Sequence, residues 1–275
     1  MKRLILILSV CLWAQLVLAG AVDTVSVYSA SMKKNIKCVI IKPDDYSSSG
    51  KKYAVVYLLH GHGGNYSQWP RLAPQLKEKV DQMQLIIVCP DGGYGSWYLD
   101  SPVDSSFRYE TFAGKELIPY IDTHYRTQAD KNHRAITGLS MGGHGGLFLG
   151  IRHPDLFGAV GSTSGGVDIR PFPKNWDLTK RLGDTICCRE NWEKNTVINL
   201  VDGLKNGDLR LIIDCGVSDF FIQVNRNLHE KLLAMKIDHD YYERPGGHNN
   251  TYWKNSIDYQ LMFFKKFFDE ASASK

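Results

Sequence analysis

Short apolar runs recur along the chain, and stretches with helical spacing separate them. Most of these runs are rich in Val and Ile and are bounded by Gly, Pro or Asp, which is typical of strands buried on both faces of a sheet. In chain order they read "KCVIIKP", "YAVVYLL", "QLIIVCP", "RAITGLS", "AVGSTSG", "LRLIIDCG" and "HDYYERPGG". We expect the first two to form neighbouring strands of the sheet.

Helical stretches lie between the apolar runs, among them "LAPQLKEKVDQM", "YETFAGKELIPYIDTHY" and "FIQVNRNLHEKLLAMK". The last predicted helix carries apolar side chains at a spacing of three and four residues, a stripe suited to packing on a sheet: Trp253, Ile257, Leu261, Phe264 and Phe268. Strands that alternate with helices predict an α/β fold with a mostly parallel central sheet and helices on both faces.

A single domain is expected over residues 22–275, because a chain of 275 residues has a normal length for one α/β unit. In such folds the reactive groups lie in loops beyond the carboxyl ends of the strands. The segment 168–205 breaks the alternation and contains the Pro- and aromatic-rich stretch "RPFPKNW". We expect this segment to be an insertion over the strand ends, either a lid or a pocket wall.

Residues 1–21 have the layout of a secretory signal peptide. Lys2 and Arg3 precede the apolar run "LILILSVCLWAQLVLAGA", which ends in small residues that suit cleavage. The alternative is a membrane anchor, but Ser9 and Gln15 interrupt the run, which is short for a membrane span. We therefore expect cleavage and a secreted or periplasmic protein that keeps no stable membrane anchor.

The charge balance bears on the class of partner. The chain has 33 Lys and Arg against 29 Asp and Glu, a net charge of +4, and loss of Lys2 and Arg3 with the signal lowers this to +2. The sequence has no cluster of Lys and Arg, so we expect no nucleic acid partner. A charged content of 23% and a hydrophobic content of 43% are ordinary for a soluble globular protein.

Five cysteines remain after the predicted signal, an odd number that cannot pair completely within one chain. Cys38, Cys89 and Cys215 lie in strand-like apolar runs, so we interpret them as small core residues. Cys187 and Cys188 are adjacent and are the candidates for a disulfide.

The strongest chemical signal is the stretch "AITGLSMGGHGG", which contains a G-x-S-x-G pattern with Ser140 at its centre. The pattern directly follows a predicted strand and directly precedes a predicted helix. A sharp strand-to-helix turn lifts a serine hydroxyl above the sheet, and flanking glycines relieve the crowding there. We predict that Ser140 is a nucleophile; the alternative is a glycine-rich turn whose serine only caps the helix.

A serine nucleophile needs a base, and the usual chain order places the base last. Three histidines lie well downstream of Ser140. His229 falls within an amphipathic helix and His239 at the entrance to a strand, whereas His248 lies in the glycine-rich loop "RPGGHNN" after the final strand. We predict His248 as the base, with the other two as weaker alternatives.

The acid that orients this base should lie between the serine and the histidine in the chain. The stretch "LRLIIDCGVSDFF" contains both Asp214 and Asp219. Asp219 lies in the loop beyond the strand and can reach the loop of His248, whereas Asp214 lies within the strand end. We favour Asp219, and Asp214 is its rival.

The stretch "YAVVYLLHGHGGNYSQW" poses a choice between a metal site and an oxyanion hole. Two histidines separated by one residue, His60 and His62, suit zinc. However, a zinc hydrolase with an H-x-H-x-D-H pattern needs Asp and His where this chain has Gly64 and Asn65. We therefore expect no metal and no cofactor, and an oxyanion hole built from the backbone N–H groups of His62 and Met141.

The chain resembles the esterase D-like branch of the α/β-hydrolases, in particular the secreted feruloyl and acetylxylan esterases. The stretches that carry the resemblance are "YLLHGHGGN", "PDGGYGSWYLDSP", "YETFAGKELIPYID", "HRAITGLSMGGHGGLFLGIRHPDLFGAVGSTSG", "GVSDFF" and "ERPGGHNNTYW". The resemblance implies an α/β-hydrolase fold and a carboxylic-ester hydrolase with the triad Ser140, Asp219 and His248.

The same resemblance implies substrate-binding residues in the loops near the serine, namely Gly61, Asp91, Trp97 and Tyr98. The alternative is that the aromatic side chains among these belong to the core. The implied reaction passes through an acyl-enzyme, on feruloyl or acetyl groups of plant polysaccharides or on small acyl esters. The alternatives are an S-formylglutathione hydrolase-like activity, a mycolyltransferase-like acyl transfer, and a non-catalytic carbohydrate-binding protein.

Overall fold

An eight-stranded sheet runs through residues 22–273, the part of the chain that this computed structural model describes. The predicted signal segment, residues 1–21, lies outside the described residues. The strands are β1 (Val22–Ser29), β2 (Lys34–Ile41), β3 (Ala54–Leu59), β4 (Leu85–Pro90), β5 (Arg134–Gly138), β6 (Ala159–Thr163), β7 (Arg210–Gly216) and β8 (Asp240–Arg244). Their order across the sheet is β1-β2-β4-β3-β5-β6-β7-β8.

Strands β3 to β8 are parallel to one another, while β2 is antiparallel to both β1 and β4. The predicted mostly parallel α/β architecture is therefore confirmed. The prediction that β2 and β3 are neighbours is wrong, because β4 lies between them. Strand β3 pairs with β4 on one side and with β5 on the other, so it offers no free edge to β2.

The first strand, β1, is not among the strands that the apolar runs of the sequence predict. Only two of its eight residues are buried, because it forms the edge of the sheet and polar residues alternate along it. An exposed edge strand of this kind lacks the continuous apolar run that marks the central strands.

Helices cover both faces of the sheet. In the described chain they are α1 (Gln68–Leu72), α2 (Leu76–Met83), α3 (Tyr109–Thr111), α4 (Ile118–His124), α5 (Met141–Arg152), α6 (Leu178–Leu182), α7 (Arg189–Lys194), α8 (Val197–Leu200), α9 (Ile222–Ala234) and α10 (Asn250–Ala273). A π-helical turn, Phe112–Leu117, joins α3 to α4. None of the helices within residues 22–273 combines the length and apolar composition that crossing a membrane requires.

The core consists of two hydrophobic clusters, and residues of the central strand β3 belong to both. Val55, Tyr57 and Leu59 pack in a cluster with residues of α4, α5 and α9, whereas Val56 and Leu58 pack with residues of α2 and α10. Successive side chains of a strand point to opposite faces, so a strand covered on both sides is apolar throughout.

The predicted apolar stripe of α10 is confirmed, since all five of its side chains are buried against the second of these clusters. Cys38, Cys89 and Cys215 are also buried, as their strand-like surroundings predicted.

Candidate active site

Ser140 occupies a sharp turn between the end of β5 and the start of α5. Its backbone has φ 56° and ψ −116°, a conformation that costs free energy for a residue with a side chain. The turn is held by the N–H of Ser140, which donates to the carbonyl of Thr163 on β6 at 2.9 Å. This geometry is the strand-turn-helix arrangement that the G-x-S-x-G pattern requires.

The two outer glycines of the pattern are required by close backbone contacts. A Cβ atom at Gly138 would lie 2.5 Å from the carbonyl oxygen of Leu59, and one at Gly142 would lie 2.4 Å from the same oxygen. Backbone atoms cannot move aside as a flexible side chain can. Any larger residue at either position would therefore push β5 or α5 away from β3.

His248 bridges the serine and an aspartate. It lies in the loop between β8 and α10, with Nε2 at 2.8 Å from Oγ of Ser140 and Nδ1 at 2.8 Å from Oδ2 of Asp219. The imidazole is 14% exposed and packs edge-on against the ring of Trp253, with ring centroids 4.9 Å apart. An imidazole held in this way can accept the serine proton at Nε2 while Nδ1–H donates to the carboxylate.

Asp219 lies in the turn that follows β7, and its side chain is fully buried. Its second carboxylate oxygen, Oδ1, accepts the N–H of Phe221 at 2.8 Å. One oxygen is therefore held by the backbone of its own turn, and the other is left for the imidazole of His248.

The rival carboxylate, Asp214, is engaged elsewhere. It is fully buried on β7 and accepts hydrogen bonds from Ser256 at 2.6 Å and Gln260 at 2.7 Å, both on α10, and from Thr163 at 3.2 Å. Burial raises the pKa of this carboxyl, and the hydrogen bonds from Ser256 and Gln260 oppose that rise. Asp214 therefore joins the last helix to the sheet, and His248 contacts Asp219 instead.

The two alternative histidines pair with each other. Nδ1 of His229 lies 2.8 Å from Nε2 of His239. His229 also stacks on the ring of Tyr241, with centroids 4.2 Å apart. Neither contacts Ser140, so the structure brings His248 alone of the three candidates to the serine.

The side chain of His60 supports the loop after β3. Its Nε2 accepts the N–H of Gly92 at 2.7 Å, so Nδ1 carries the proton and donates to the carbonyl of Gly61 at 2.8 Å. Tyr98 adds a third contact by donating its hydroxyl to the carbonyl of His60 at 3.1 Å. The buried His60 thus ties the loop after β3 to the loop after β4.

The loop after β3 also runs directly beside the serine. A Cβ atom at Gly61 would lie 3.5 Å from Cβ of Ser140 and 2.6 Å from a methyl group of Leu139. Only a residue without a side chain allows this approach. Gly61 therefore lies next to Ser140, and its role in substrate binding stays a prediction.

One amide of this loop has no hydrogen-bond acceptor. The other three amides of residues 61–64 donate within the fold: Gly61 to Oε1 of Gln68 at 2.9 Å, Gly63 to the carbonyl of Tyr94 at 2.8 Å, and Gly64 to the carbonyl of Gly61 at 3.0 Å. Within residues 22–273 the N–H of His62 donates to no acceptor. Met141 opens α5, so its N–H has no acceptor within the helix either.

The imidazole of His62 contacts different partners from that of His60. Nε2 of His62 lies 3.3 Å from Oδ2 of Asp177, a residue of the segment between β6 and β7. Lys180 holds the other carboxylate oxygen at 2.8 Å, and this hydrogen bond is the main reason that the pKa of Asp177 lies below its usual value. In the described part of the chain, no group of three or more His, Cys, Asp and Glu side chains has a metal-binding arrangement.

Trp97 and Tyr98 are buried in the wall behind this loop, at 1% and 2% exposure. Both have left-handed backbones, with φ 55° and 58°. The indole N–H of Trp97 donates to the carbonyl of Trp176 at 3.0 Å. The structure therefore favours the alternative that these two aromatic side chains are core residues that support the site from behind.

Asp91, the fourth expected binding residue, lies at the end of β4 and is partly exposed. Burial alone would raise the pKa of its carboxyl, but the hydrogen bond from the N–H of Gly93 and the nearby charge of Lys34 favour the carboxylate, so the pKa lies below its usual value. Oδ1 accepts the Gly93 N–H at 2.8 Å, which shapes the turn after β4.

An aromatic wall that the pocket prediction did not include flanks His248. The ring of Phe220 lies 4.2 Å from the imidazole of His248, and Trp176 stacks on Phe220 at 5.5 Å and 17°. Phe220 is 52% exposed, and Tyr94, whose ring meets the imidazole of His62 at 4.7 Å, is 65% exposed. The stretches "GVSDFF" and "GGYG" contain these aromatic residues, which lie beside the predicted base and beside the predicted oxyanion-hole residue His62.

Comparison with protein families gives one match over most of the chain. The Esterase family model, described as "Putative esterase", matches residues 29–264. An esterase of Mycobacterium tuberculosis (strain H37Rv) is 30% identical over 237 residues, which cover 76% of this chain and 51% of the relative. The chain therefore spans about half the length of that relative.

Two further similarities cover nearly the whole chain. An acetyl esterase of Caldicellulosiruptor saccharolyticus is 26% identical over 276 residues, covering 90% of this chain and 100% of the relative. The solved structure of a ferulic acid esterase superposes with a TM-score of 0.78 at 28% identity, over 90% of this chain and 99% of its own.

Proposed function

Because this chain belongs to the Esterase family, with an α/β-hydrolase fold, we propose that it is a serine carboxylic-ester hydrolase. Ser140 is the nucleophile, His248 the general base and acid, and Asp219 the carboxylate that orients the base. The observation that carries the proposal is the unbroken hydrogen-bonded chain through His248, with 2.8 Å on the serine side and 2.8 Å on the aspartate side.

Acylation begins when Ser140 Oγ attacks the ester carbonyl carbon and its proton moves to Nε2 of His248. The carbonyl oxygen becomes an oxyanion, which accepts hydrogen bonds from the backbone N–H groups of Met141 and His62. Both amides lack an acceptor in the loops around Ser140, as a preorganised oxyanion hole requires. The intermediate collapses when the C–O bond to the alcohol breaks and His248 gives its proton to the leaving oxygen.

Deacylation repeats these steps with water. His248 removes a proton from the water molecule that attacks the acyl-enzyme, and the same two amides stabilise the second oxyanion. The bond to Ser140 Oγ then breaks, His248 returns the proton to the serine, and the carboxylic acid leaves. Throughout, the buried carboxylate of Asp219 keeps Nδ1 protonated and stabilises the imidazolium.

The substrate class that we propose is an acyl ester whose acyl group is feruloyl or acetyl, carried by a plant polysaccharide or a small alcohol. Similarity to a ferulic acid esterase and to an acetyl esterase supports this choice. Phe220 lies against His248 and Tyr94 against His62, and both side chains are exposed. They provide surfaces on which an aromatic acyl group can stack.

We further propose that the enzyme is exported. The support is the basic start, apolar run and small residues within residues 1–21. A secreted or periplasmic enzyme would meet polymer-linked esters, which do not enter cells. Amino-terminal sequencing of the protein from the culture medium or periplasm tests this directly, and an intact amino terminus on a protein retained in the cytoplasm would contradict it.

The proposed activity is tested with three esters offered to the same purified enzyme: methyl ferulate, acetylated xylan and a short nitrophenyl ester. We expect hydrolysis of at least one, lost when Ser140 is replaced by Ala. A chain that leaves all three esters intact would contradict the proposed function. Adding a sugar alcohol as acceptor distinguishes transfer from hydrolysis, since a transferase forms the new ester in preference to the free acid.

A further inference from the structure

Two neighbouring thiols lie together in the turn between α6 and α7. The sulfur atoms of Cys187 and Cys188 are 2.9 Å apart. Cys187 is exposed and Cys188 is partly buried, and both are free thiols in this structure. The pair plays no part in the proposed ester hydrolysis.

The turn holds both sulfur atoms on one side. The N–H of Cys188 donates to the carbonyl of Asp184 at 2.9 Å, and Sγ of Cys187 lies 3.8 Å from that same oxygen. The carboxylate of Asp184 also accepts the N–H of Ile186 at 2.7 Å, which closes the turn a second time. Two hydrogen bonds to one residue therefore fix the backbone from which both thiols project.

Gly183 adds a further constraint on the position of Cys188. It has φ +82°, and a Cβ atom there would lie 2.7 Å from Sγ of Cys188. The sulfur of Cys188 is therefore seated against a glycine whose backbone few other residues could adopt. The turn thus keeps the thiol of Cys188 beside the thiol of Cys187.

The remaining cysteines of residues 22–273 are chemically different. Burial raises the pKa of the Cys38 thiol to about 12, and burial also raises the pKa of Cys89 and of Cys215. A thiol must ionise and be reached by its partner to react. The three buried cysteines meet neither condition, so Cys187 and Cys188 are the reactive pair of the described chain.

We propose that Cys187 and Cys188 form a reversible thiol–disulfide couple, oxidised by a small disulfide such as glutathione disulfide. The thiolate of Cys187 attacks one sulfur of the small disulfide, a mixed disulfide forms, and one glutathione thiolate leaves. The thiolate of Cys188 then attacks the sulfur of Cys187, forms the bond between the two cysteines and expels the second glutathione. The protein loses two protons and two electrons, and the small disulfide gains them as two thiols.

Cys187 is the attacking residue for two reasons. It is the more exposed of the two, and its hydrogen bond with Cys188 raises the pKa of the Cys188 thiol. The couple also accounts for the odd number of cysteines. Once Cys187 and Cys188 are joined, each cysteine left unpaired within residues 22–273 is buried.

The test uses the full-length protein with Cys11, which lies outside the described residues, replaced by Ser, so that this thiol does not enter the count. The protein is reduced and the reductant is removed. A chromogenic disulfide reagent should titrate two thiols in the native protein, and none after incubation with glutathione disulfide. Intact mass should fall by two hydrogen atoms, with no glutathione attached and no disulfide-linked dimer. Two thiols that stay free, or a stable glutathione adduct on the wild type, would overturn the proposal.

Single variants separate an internal bond from simple surface reactivity. Cys188→Ser leaves Cys187 without its neighbouring thiol, and the other described cysteines are buried. The reaction of this variant with glutathione disulfide should stop at the mixed disulfide and add the mass of one glutathione. Cys187→Ser, Cys188→Ser together should titrate no thiol and gain no mass. If the wild type behaved like Cys188→Ser, the second step would not occur and the couple would be ruled out.

Discussion

The carboxylate of Asp177 lies 3.3 Å from Nε2 of His62, and this contact joins two residues that are 115 positions apart in the chain. Asp177 belongs to the segment between β6 and β7, and His62 belongs to the loop that passes beside Ser140. Trp176, its neighbour, stacks on Phe220, whose ring lies against His248. One dipeptide of the predicted insertion therefore contacts the loop of His62 and the turn that carries Asp219 and Phe220.

Replacing Asp177 by Asn should lower kcat and leave KM nearly unchanged. The substitution keeps the size of the side chain but removes the charge that holds the imidazole of His62, so the His62 amide is less firmly aimed at the oxyanion. Removing one oxyanion donor entirely costs about 10²–10³ in kcat, so we expect a loss of about tenfold for a donor that is only displaced. Steady-state kinetics with a nitrophenyl ester measure both parameters.

The matched control for this variant is Lys180→Met. It removes the other ionic partner of Asp177, at 2.8 Å, but leaves the carboxylate that contacts His62. Lys180 is largely exposed, and we expect kcat within about twofold of wild type, since surface ion pairs contribute little. Equal kinetics for Asp177→Asn and Lys180→Met would show that the contact with His62 does not position the amide.

Ser140→Ala should abolish turnover except for the part that oxyanion stabilisation and substrate binding supply. In the best-studied serine triads this remaining catalysis is roughly 10³-fold or more above the rate of the reaction in water. A serine-directed fluorophosphonate should label the wild type in stoichiometric amounts and leave the variant unlabelled. Labelling of the variant at the wild-type rate would place the nucleophile at another residue.

The two aspartates on either side of the β7 terminus should respond differently to the same change. Asp219→Asn keeps an acceptor for the N–H of Phe221 but favours the wrong tautomer of His248, which costs about 10⁴ in kcat in the best-studied triad. We expect a loss of 10² or more with an unchanged thermal midpoint.

Asp214→Asn should instead lower stability and leave much of the activity. It introduces an amide where the buried carboxylate accepts from Ser256 and Gln260, and an unsatisfied buried polar group costs about 1–3 kcal/mol. Turnover and thermal midpoint measured for both variants decide between the aspartates. A stable, inactive Asp214→Asn would mean that Asp219 is the wrong acid.

Gly142→Ala should disrupt the turn at Ser140, since the new Cβ would lie 2.4 Å and 2.7 Å from the carbonyl oxygens of Leu59 and His60. Overpacking of this kind typically costs about 1–3 kcal/mol, and displacement of α5 should also reduce kcat. Gly50→Ala is the control, because nothing lies within 4 Å of its Cβ position. Equal thermal midpoints for the two variants would contradict the steric account of the pattern.

Treatment with a chelator should leave ester hydrolysis intact. The imidazole Nε2 atoms of His60 and His62 already face the N–H of Gly92 and the carboxylate of Asp177, and each step of the proposed reaction uses groups of the chain itself. Activity measured before and after dialysis against a chelator tests this. Loss of activity that zinc restores would indicate that His60 and His62 are metal ligands.

Local patterns alone determined much of this protein. The apolar runs predicted the seven strands from β2 to β8, and the glycines around Ser140 predicted a turn between a strand and a helix. Both signals depend on interactions between residues close in the chain, namely side-chain alternation and backbone crowding. For the same reason the apolar stripe of α10 could be predicted to be its buried face.

Only the tertiary structure decided which distant residues meet. In the folded chain β4 lies between β2 and β3, and the side chains of Trp97 and Tyr98 are buried in the core. Asp177 contacts His62. The tertiary structure also puts Asp219 against His248 and Asp214 against α10. Local spacing describes each strand and turn but not the order of strands in the sheet, and that order sets which loops share an edge and which carboxylate an imidazole can reach.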